Sequence, residues 1–361
     1  MTTPTPLTYR RAGLTLAGDH WTAPPATPSR GTAVLLHGVG QTRHSWHHTA
    51  ARLAGHGWTA LTLDARGHGD SDWAHPHDYT VDHLVDDLVH IAGTLNDTPV
   101  LIGASMGGIT ALLAHADHTI ARALVLVDIA PQINPAGAAR ILDFMTRHRD
   151  GFATLDEAAA AIAAYNPHRT RPATTHGLRK NLRQHRDGRW RWHWDPQLLQ
   201  FISDTSALTD LTTRMDTAAQ QITIPTLLIR GELSDIVNHD SVDHLLHHIP
   251  TAHTATVTNT AHMVAGDDND IFTNHLIDFL NHLLPFHAPN RESGAGQGHE
   301  YRDSGRHRSS GLDHLAFCRY RIDLFRSSRE GNVGWPTNAI APPSPPSSVT
   351  RARWCVVGSV R

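Results

Sequence analysis

The chain has 361 residues with 40% hydrophobic and 18% charged side chains, which excludes a mainly disordered polymer and leaves room for a large buried core. Its formal charge is -3, from 31 basic against 34 acidic residues, so nothing global points to a nucleic-acid or membrane-surface partner. Two cysteines, Cys318 and Cys355, exclude a disulfide framework or a cysteine zinc site for the body of the chain.

No apolar run reaches the ~18 residues of a transmembrane helix. Met1 to Arg11 lacks the apolar core of a secretory signal, so a cytoplasmic protein is expected. Thirty histidines and a single lysine, Lys180, are unusual and fit a codon bias. A break in composition falls near Pro289. Residues 291–361 carry 11 arginines against 6 acids, a net +5, whereas the rest carries 20 basic against 28 acidic residues, a net -8. Residues 288–361, rich in Gly, Ser, Arg and Pro, are expected to be a disordered basic tail.

In chain order, Leu7 to Ala17 alternates and reads as an opening antiparallel hairpin strand. Ala33 to Leu36, Thr59 to Leu63, Val100 to Gly103, Ala123 to Val127 and Thr226 to Ile229 are short, nearly continuous apolar runs. Most are bounded by Gly, Asp or Pro, as buried parallel strands are. Val81 to Leu95, Ser105 to Ala114, Ser241 to His248 and Asp270 to Leu284 read as helices between or after them. Strand alternating with helix specifies a doubly wound, mostly parallel α/β sheet. Residues 131–222 break the rhythm, with helical patterns and no convincing strand. They are expected to form a helical cap over the C-terminal strand edge, where open α/β sheets bind ligands. The core is then 1–130 and 223–287.

The strongest chemical signal is Gly103-Ala104-Ser105-Met106-Gly107, placed after a strand and opening a helix. A serine on so sharp a turn is lifted above the sheet, and only small neighbours fit around it. The helix N-terminus behind it supplies amide N–H groups for developing negative charge. A hydroxyl needs a base. His262, in Thr260-Ala261-His262-Met263-Val264-Ala265-Gly266-Asp267, follows the short apolar segment Ala255 to Val257 and precedes the last helix. Asp235, in Gly231-Glu232-Leu233-Ser234-Asp235, leaves a strand on the same edge and is the favoured acid. Glu232 in the same loop and Asp128 at the end of Ala123 to Val127 are its rivals. His37-Gly38-Val39-Gly40 follows the earliest parallel strand, so the Val39 amide joins that of Met106 as a candidate oxyanion donor. His37 is read as a structural histidine. Asp64-Ala65-Arg66-Gly67-His68-Gly69-Asp70-Ser71 is read as a loop-structuring turn, with Arg66 paired to a carboxylate.

Trp46 and Trp194 are the candidate substrate-binding side chains. Trp190, Trp192 and Trp194 alternate with Arg191 and His193, as in a strand or extended turn, a pattern that suits an acyl pocket or a packing ridge equally. His44, His47 and His48, or His75 and His77, have spacings a metal can use, but among so many histidines no metal is expected.

With these motifs, residues 5–286 resemble the α/β-hydrolase superfamily. The matching pieces are HGVG, DARGHGDS, GASMGG, RGELSD and AHMVAGD, with Ser105, Asp235 and His262 in the family's order. The elbow and HGxG loop look most like the capped group of serine esterases, cofactor-free haloperoxidase-like perhydrolases and carbon–carbon bond hydrolases. The resemblance implies a Ser-His-Asp triad, an acyl-enzyme and no cofactor. Serine at position 105 argues against the aspartate-nucleophile epoxide and haloalkane hydrolases. A hydrolase of small acyl compounds is the reading carried forward, with perhydrolase or carbon–carbon hydrolase chemistry as alternatives. A non-catalytic small-ligand receptor on the same fold is the competing class. No nucleic-acid or membrane partner is expected, and the oligomeric state is open.

Overall fold

A computed structural model describes residues 3–75, 78–167, 174–202, 205–262 and 270–283. The expectations for residues 288–361, for His77 and for Met263 to Asp267 lie outside the described residues.

The first strands are β1 (Thr5–Arg11) and β2 (Leu14–Trp21). They replace the single strand expected over Leu7 to Ala17. Ala12 and Gly13 both take positive φ (49° and 81°), the conformation of the tightest hairpin turns. Because that turn is two residues long, the alternation runs straight through it and hides the reversal. β2 continues antiparallel onto β4 (Trp58–Leu63). The parallel part follows in the spatial order β4, β3 (Gly31–Leu36), β5 (Val100–Ala104), β6 (Ala123–Val127), β9 (Thr226–Gly231) and β10 (His253–Val257). These strands match the apolar runs to within two residues at each end.

Successive side chains of these strands serve opposite faces of the sheet. Val34, Leu61, Leu101, Leu124 and Leu228 pack on one face with α2 (Val81–Ala92), α3 (Met106–His118), α7 (Thr205–Ala219) and α8 (His239–His248). Leu35, Ala60, Ile102, Val125 and Ile229 pack on the other with α1 (His47–Gly55) and α9 (Asp270–Leu283). α2 buries Val85, Leu88 and Ile91 at three-residue spacing.

Between β6 and β9 lie α4 (Pro135–Arg147), α5 (Leu155–Tyr165), α6 (Leu199–Ile202) and α7. Asn134 caps α4 with Pro135 at its first position, and Thr154 accepts the Glu157 amide at the start of α5. Two features differ from the expected all-helical cap. Strands β7 (Leu182–Gln184) and β8 (Trp190–Trp192) form an antiparallel ribbon there. Its turn holds Asp187-Gly188, with Gly188 at φ 82°, a hairpin signal overshadowed by the surrounding helical pattern. The second feature is α7, whose Met215, Ala218 and Ala219 are buried in the core cluster beside Leu112 and Leu126. α7 is thus a core-layer helix rather than part of a cap.

Candidate active site

Ser105 caps α3 at φ 47° and ψ -116°, a region that side chains other than glycine rarely occupy. The strain is held by close packing. A Cβ on Gly103 would lie 2.3 Å from the Gly107 carbonyl oxygen, and one on Gly107 would lie 2.5 Å from that of Leu36. The elbow closes only because both positions lack side chains. Gly38 approaches from β3, and a Cβ there would be 3.3 Å from the Ser105 Cβ. The HGVG loop and the elbow therefore face each other.

Asp128 follows β6, the strand next to β5, and also takes positive φ (50°). Its carboxylate is fully buried. Oδ1 accepts the Gly231 amide at 2.8 Å. Oδ2 accepts the Ser234 hydroxyl at 2.6 Å and faces His262 Nδ1 at 2.7 Å. The His262 imidazole is largely shielded from solvent.

The favoured Asp235 lies elsewhere. It forms an ion pair with Arg140 of α4 at 3.0 Å, and α4 presses so closely that a Cβ on Gly137 would lie 2.2 Å from the Asp235 carbonyl oxygen. Burial, then the Asp235 carboxylate, pushes the neighbouring Tyr165 hydroxyl up to about 12, with Arg140 acting weakly the other way. Glu232 accepts the Asn259 amide at 3.0 Å and only fastens its loop. The carboxylate on the imidazole is thus Asp128, not Asp235. Asp235 is in the loop after β9 that the chain order points to, but that loop turns its Ser234 hydroxyl toward Asp128, as the end of β9 does its Gly231 amide. The available signal was an aspartate placed directly after the wholly apolar run Ala123 to Val127, beside the strand that leads to Ser105.

Behind the HGVG loop sit two buried imidazoles. His37 Nδ1–H donates to the Gly38 carbonyl at 2.8 Å, and its Nε2 accepts the Ala65 amide at 3.0 Å. His68 Nδ1–H donates to the Arg66 carbonyl at 3.1 Å, and its Nε2 accepts the Gly40 amide at 3.2 Å. Each ring uses one nitrogen as donor and the other as acceptor, which only the neutral form can do. Burial lowers the pKa of both, and for His68, with His37 alongside, to about 3. His37 is therefore the structural histidine expected. His68 was legible only as part of a turn, and its hold on Gly40 makes it a positioning group for the loop that carries Val39.

The rest of DARGHGDS is an ion network. Asp64 accepts the amides of Arg43 (2.6 Å) and Asp70 (2.9 Å) and pairs with the Arg43 guanidinium. Gly69 (φ 57°) lets the chain pass so close that a Cβ would lie 2.1 Å from the Asp64 carboxylate. Arg66 donates to both oxygens of the buried Asp87 at 2.7 Å, the partner expected of it. Removing one member would strand a buried charge, at a cost of about 3–5 kcal/mol.

Neither tryptophan is an open pocket wall. Trp46 is fully buried on the α1/α9 side of the sheet, its ring centroid 6.0 Å from that of Phe272, and has no place in the site. Its position seven residues after Val39 puts it at the end of the 3-10 turn Arg43–Trp46, directly before α1, which turns its apolar face to the core. Trp194 is buried with Met145, Leu198 and Tyr79. A Cβ on Gly40 would lie 3.7 Å from Trp194 Nε1, so this indole packs the insert onto the HGVG loop. Backbone bonds sew the same junction, from Gly69 N–H to the His193 carbonyl (2.7 Å) and from Asp195 N–H to that of Gly67 (2.8 Å). A cavity of about 40 Å³ lies behind the elbow, between α2 and α3, with Met106, Gly107 and Leu88 among its walls. It has room for a water molecule and not for a substrate.

Residues 27–269 match the family described as serine aminopeptidase, S33. The chain belongs to this family. By that match it is an enzyme of the α/β-hydrolase superfamily, and its sheet and elbow have the fold of that superfamily. Among curated relatives of this S33-family chain, Esterase Rv0045c of Mycobacterium tuberculosis is 27% identical over 215 residues, or 56% of this chain and 67% of that esterase. A monoacylglycerol lipase of Mycolicibacterium smegmatis is 37% identical over 101 residues, 27% of this chain and 35% of the lipase. The chain thus spans about a third of that lipase's length. The crystal structure of E-2-(acetamidomethylene)succinate hydrolase superposes with a TM-score of 0.66 at 20% identity, over 77% of this chain and 99% of that one. At that identity the likeness concerns the fold. Among the described residues, no helix is long and apolar enough to cross a membrane.

Proposed function

We propose that the chain is a serine hydrolase that cleaves small carboxylic esters through an acyl-enzyme on Ser105, with His262 as base and Asp128 as the acid. The observation that carries this reading is the 2.7 Å contact between His262 Nδ1 and the buried Asp128 carboxylate, one strand from the strained Ser105. A carboxylate on Nδ1 fixes the tautomer that leaves Nε2 as the acceptor, and it stabilises the imidazolium that forms. His262 takes the Ser105 proton as Oγ attacks the ester carbonyl. The Val39 and Met106 amides receive the oxyanion. His262 then protonates the departing alkoxide, and a water repeats the sequence to release the acid. The esterase and lipase named above, whose likeness to this chain includes residue identity, agree with an ester substrate.

Intact-mass measurement after a fluorophosphonate probe tests this. One adduct on the wild type and none on Ser105→Ala is expected. A folded wild type that takes no adduct would refute the acyl-enzyme and favour a ligand receptor. An ester panel of rising acyl length, run with and without peroxide, then separates hydrolysis from perhydrolysis.

A further inference from the structure

Among the described residues, two clusters outside the active site bring one aspartate and two histidines together, and they differ in a way that decides between them. In the first, His47 Nε2 lies 3.0 Å from Asp19 Oδ2 and 2.9 Å from His44 Nδ1. The Arg43 guanidinium sits on the same carboxylate oxygen at 3.1 Å, so its charge is already answered and a second cation would be repelled.

The second cluster joins α7 to α8. Asp216 Oδ1 is 2.7 Å from His244 Nε2, His244 Nε2 is 3.2 Å from His248 Nε2, and His248 Nε2 is 3.9 Å from Asp216 Oδ1. His244 and His248 are one turn apart on α8 and share a face. The nearby Arg214 is held away in ion pairs with Asp82 and Asp117. Hydrogen bonding leaves this arrangement unresolved, because His244 Nε2 has one hydrogen at most for two facing acceptors. The three separations bracket the edge of about 3.3 Å that a tetrahedral ion with 2.0–2.1 Å bonds requires.

We propose that Asp216, His244 and His248 are a binding site for a divalent transition-metal ion of the Zn2+ class, clamping α7 to α8. Two imidazoles and one carboxylate suit that class and leave a fourth position for water.

The test is Zn2+ titration of the full, tag-free chain against a chromophoric chelator, followed by Co2+ absorption spectra. The wild type is expected to hold one tight equivalent and to give a Co2+ spectrum of tetrahedral intensity. In His244→Ala and His248→Ala the affinity of that equivalent should fall at least about 30-fold, and in Asp216→Asn at least about tenfold. The His44→Ala/His47→Ala double variant should keep it unchanged. Circular dichroism of each variant without metal checks that the fold is retained. The proposal is overturned if the wild type has no tight equivalent, or if folded His244→Ala and His248→Ala bind Zn2+ as the wild type does.

Discussion

Asp128 and Asp235 stand at the same edge of the sheet, after neighbouring strands, yet they are in different physical situations. Asp128 is fully buried at positive φ and takes bonds from an amide, a hydroxyl and an imidazole. Asp235 is one-quarter exposed and is answered by a guanidinium that is itself more than half exposed. A buried carboxylate with several donors is fixed in place and acts at full strength on its neighbour, whereas an exposed pair is worth about 0–1 kcal/mol. Chain order alone favours Asp235, and the donors favour Asp128.

The largest effect that can break this comparison is Asp128→Asn against Asp235→Asn. Replacing the carboxylate on Nδ1 removes the charge that holds the imidazole tautomer, so kcat/KM should fall about 10³–10⁴-fold in Asp128→Asn. Asp235→Asn and Arg140→Gln should stay within a few-fold of wild type. Steady-state kinetics on one activated ester decides, and the reverse ranking would return the acid role to Asp235.

What the residues revealed before folding follows the same division. Five of the six parallel strands were legible because each is a short apolar run buried on both faces, whereas the more exposed β10 showed only its end, Ala255 to Val257. The elbow was legible because glycine, serine and glycine at that spacing meet a geometric demand that the Gly103 and Gly107 contacts now account for. Asp128 stayed a rival to Asp235, His68 was legible only as part of a turn and Trp46 was placed at the substrate, because their roles depend on what other elements bring to them. The Gly231 amide arrives from β9, the Gly40 amide from the β3 loop, and Phe272 from α9. One-dimensional spacing carries no record of these partners. The β7–β8 ribbon was half legible, since the alternation of Trp190, Trp192 and Trp194 with Arg191 and His193 reads as a strand or extended turn, whereas the three residues of β7 are too short to show a period.

A second contrast lies within the histidines. His68 is buried with a pKa near 3, while its unfolded counterpart titrates near 6.5. The folded state therefore refuses a proton that the unfolded chain accepts. The stability tied to this difference is complete above about pH 6.5 and is lost progressively as the pH falls from there toward 3, at up to about 1.4 kcal/mol per pH unit for one proton. Urea midpoints measured from pH 7.5 to 4 should decline more gently in His68→Gln than in wild type, from a lower starting value. Parallel curves would show that His68 is not among the groups setting acid lability.

The smallest expected effect concerns Ser234, which belongs to the Asp235 loop yet serves Asp128. Its hydroxyl donates to Asp128 Oδ2 at 2.6 Å and accepts the amides of Ile236 (3.1 Å) and Val237 (3.0 Å). Ser234→Ala removes one of three donors from the carboxylate and leaves two loop amides without that acceptor. A stability loss of about 1–3 kcal/mol is expected from the unmet groups. With one donor fewer the carboxylate is held less firmly against the imidazole, so kcat/KM should fall by about tenfold or less. Ser234→Thr keeps the hydroxyl and should restore both stability and rate. Lost stability with an unchanged kcat/KM would make Ser234 a loop fastener alone. A fall in kcat/KM that Ser234→Thr restores would show that the loop after β9 acts on the imidazole through the Asp128 carboxylate, although its own aspartate is turned away.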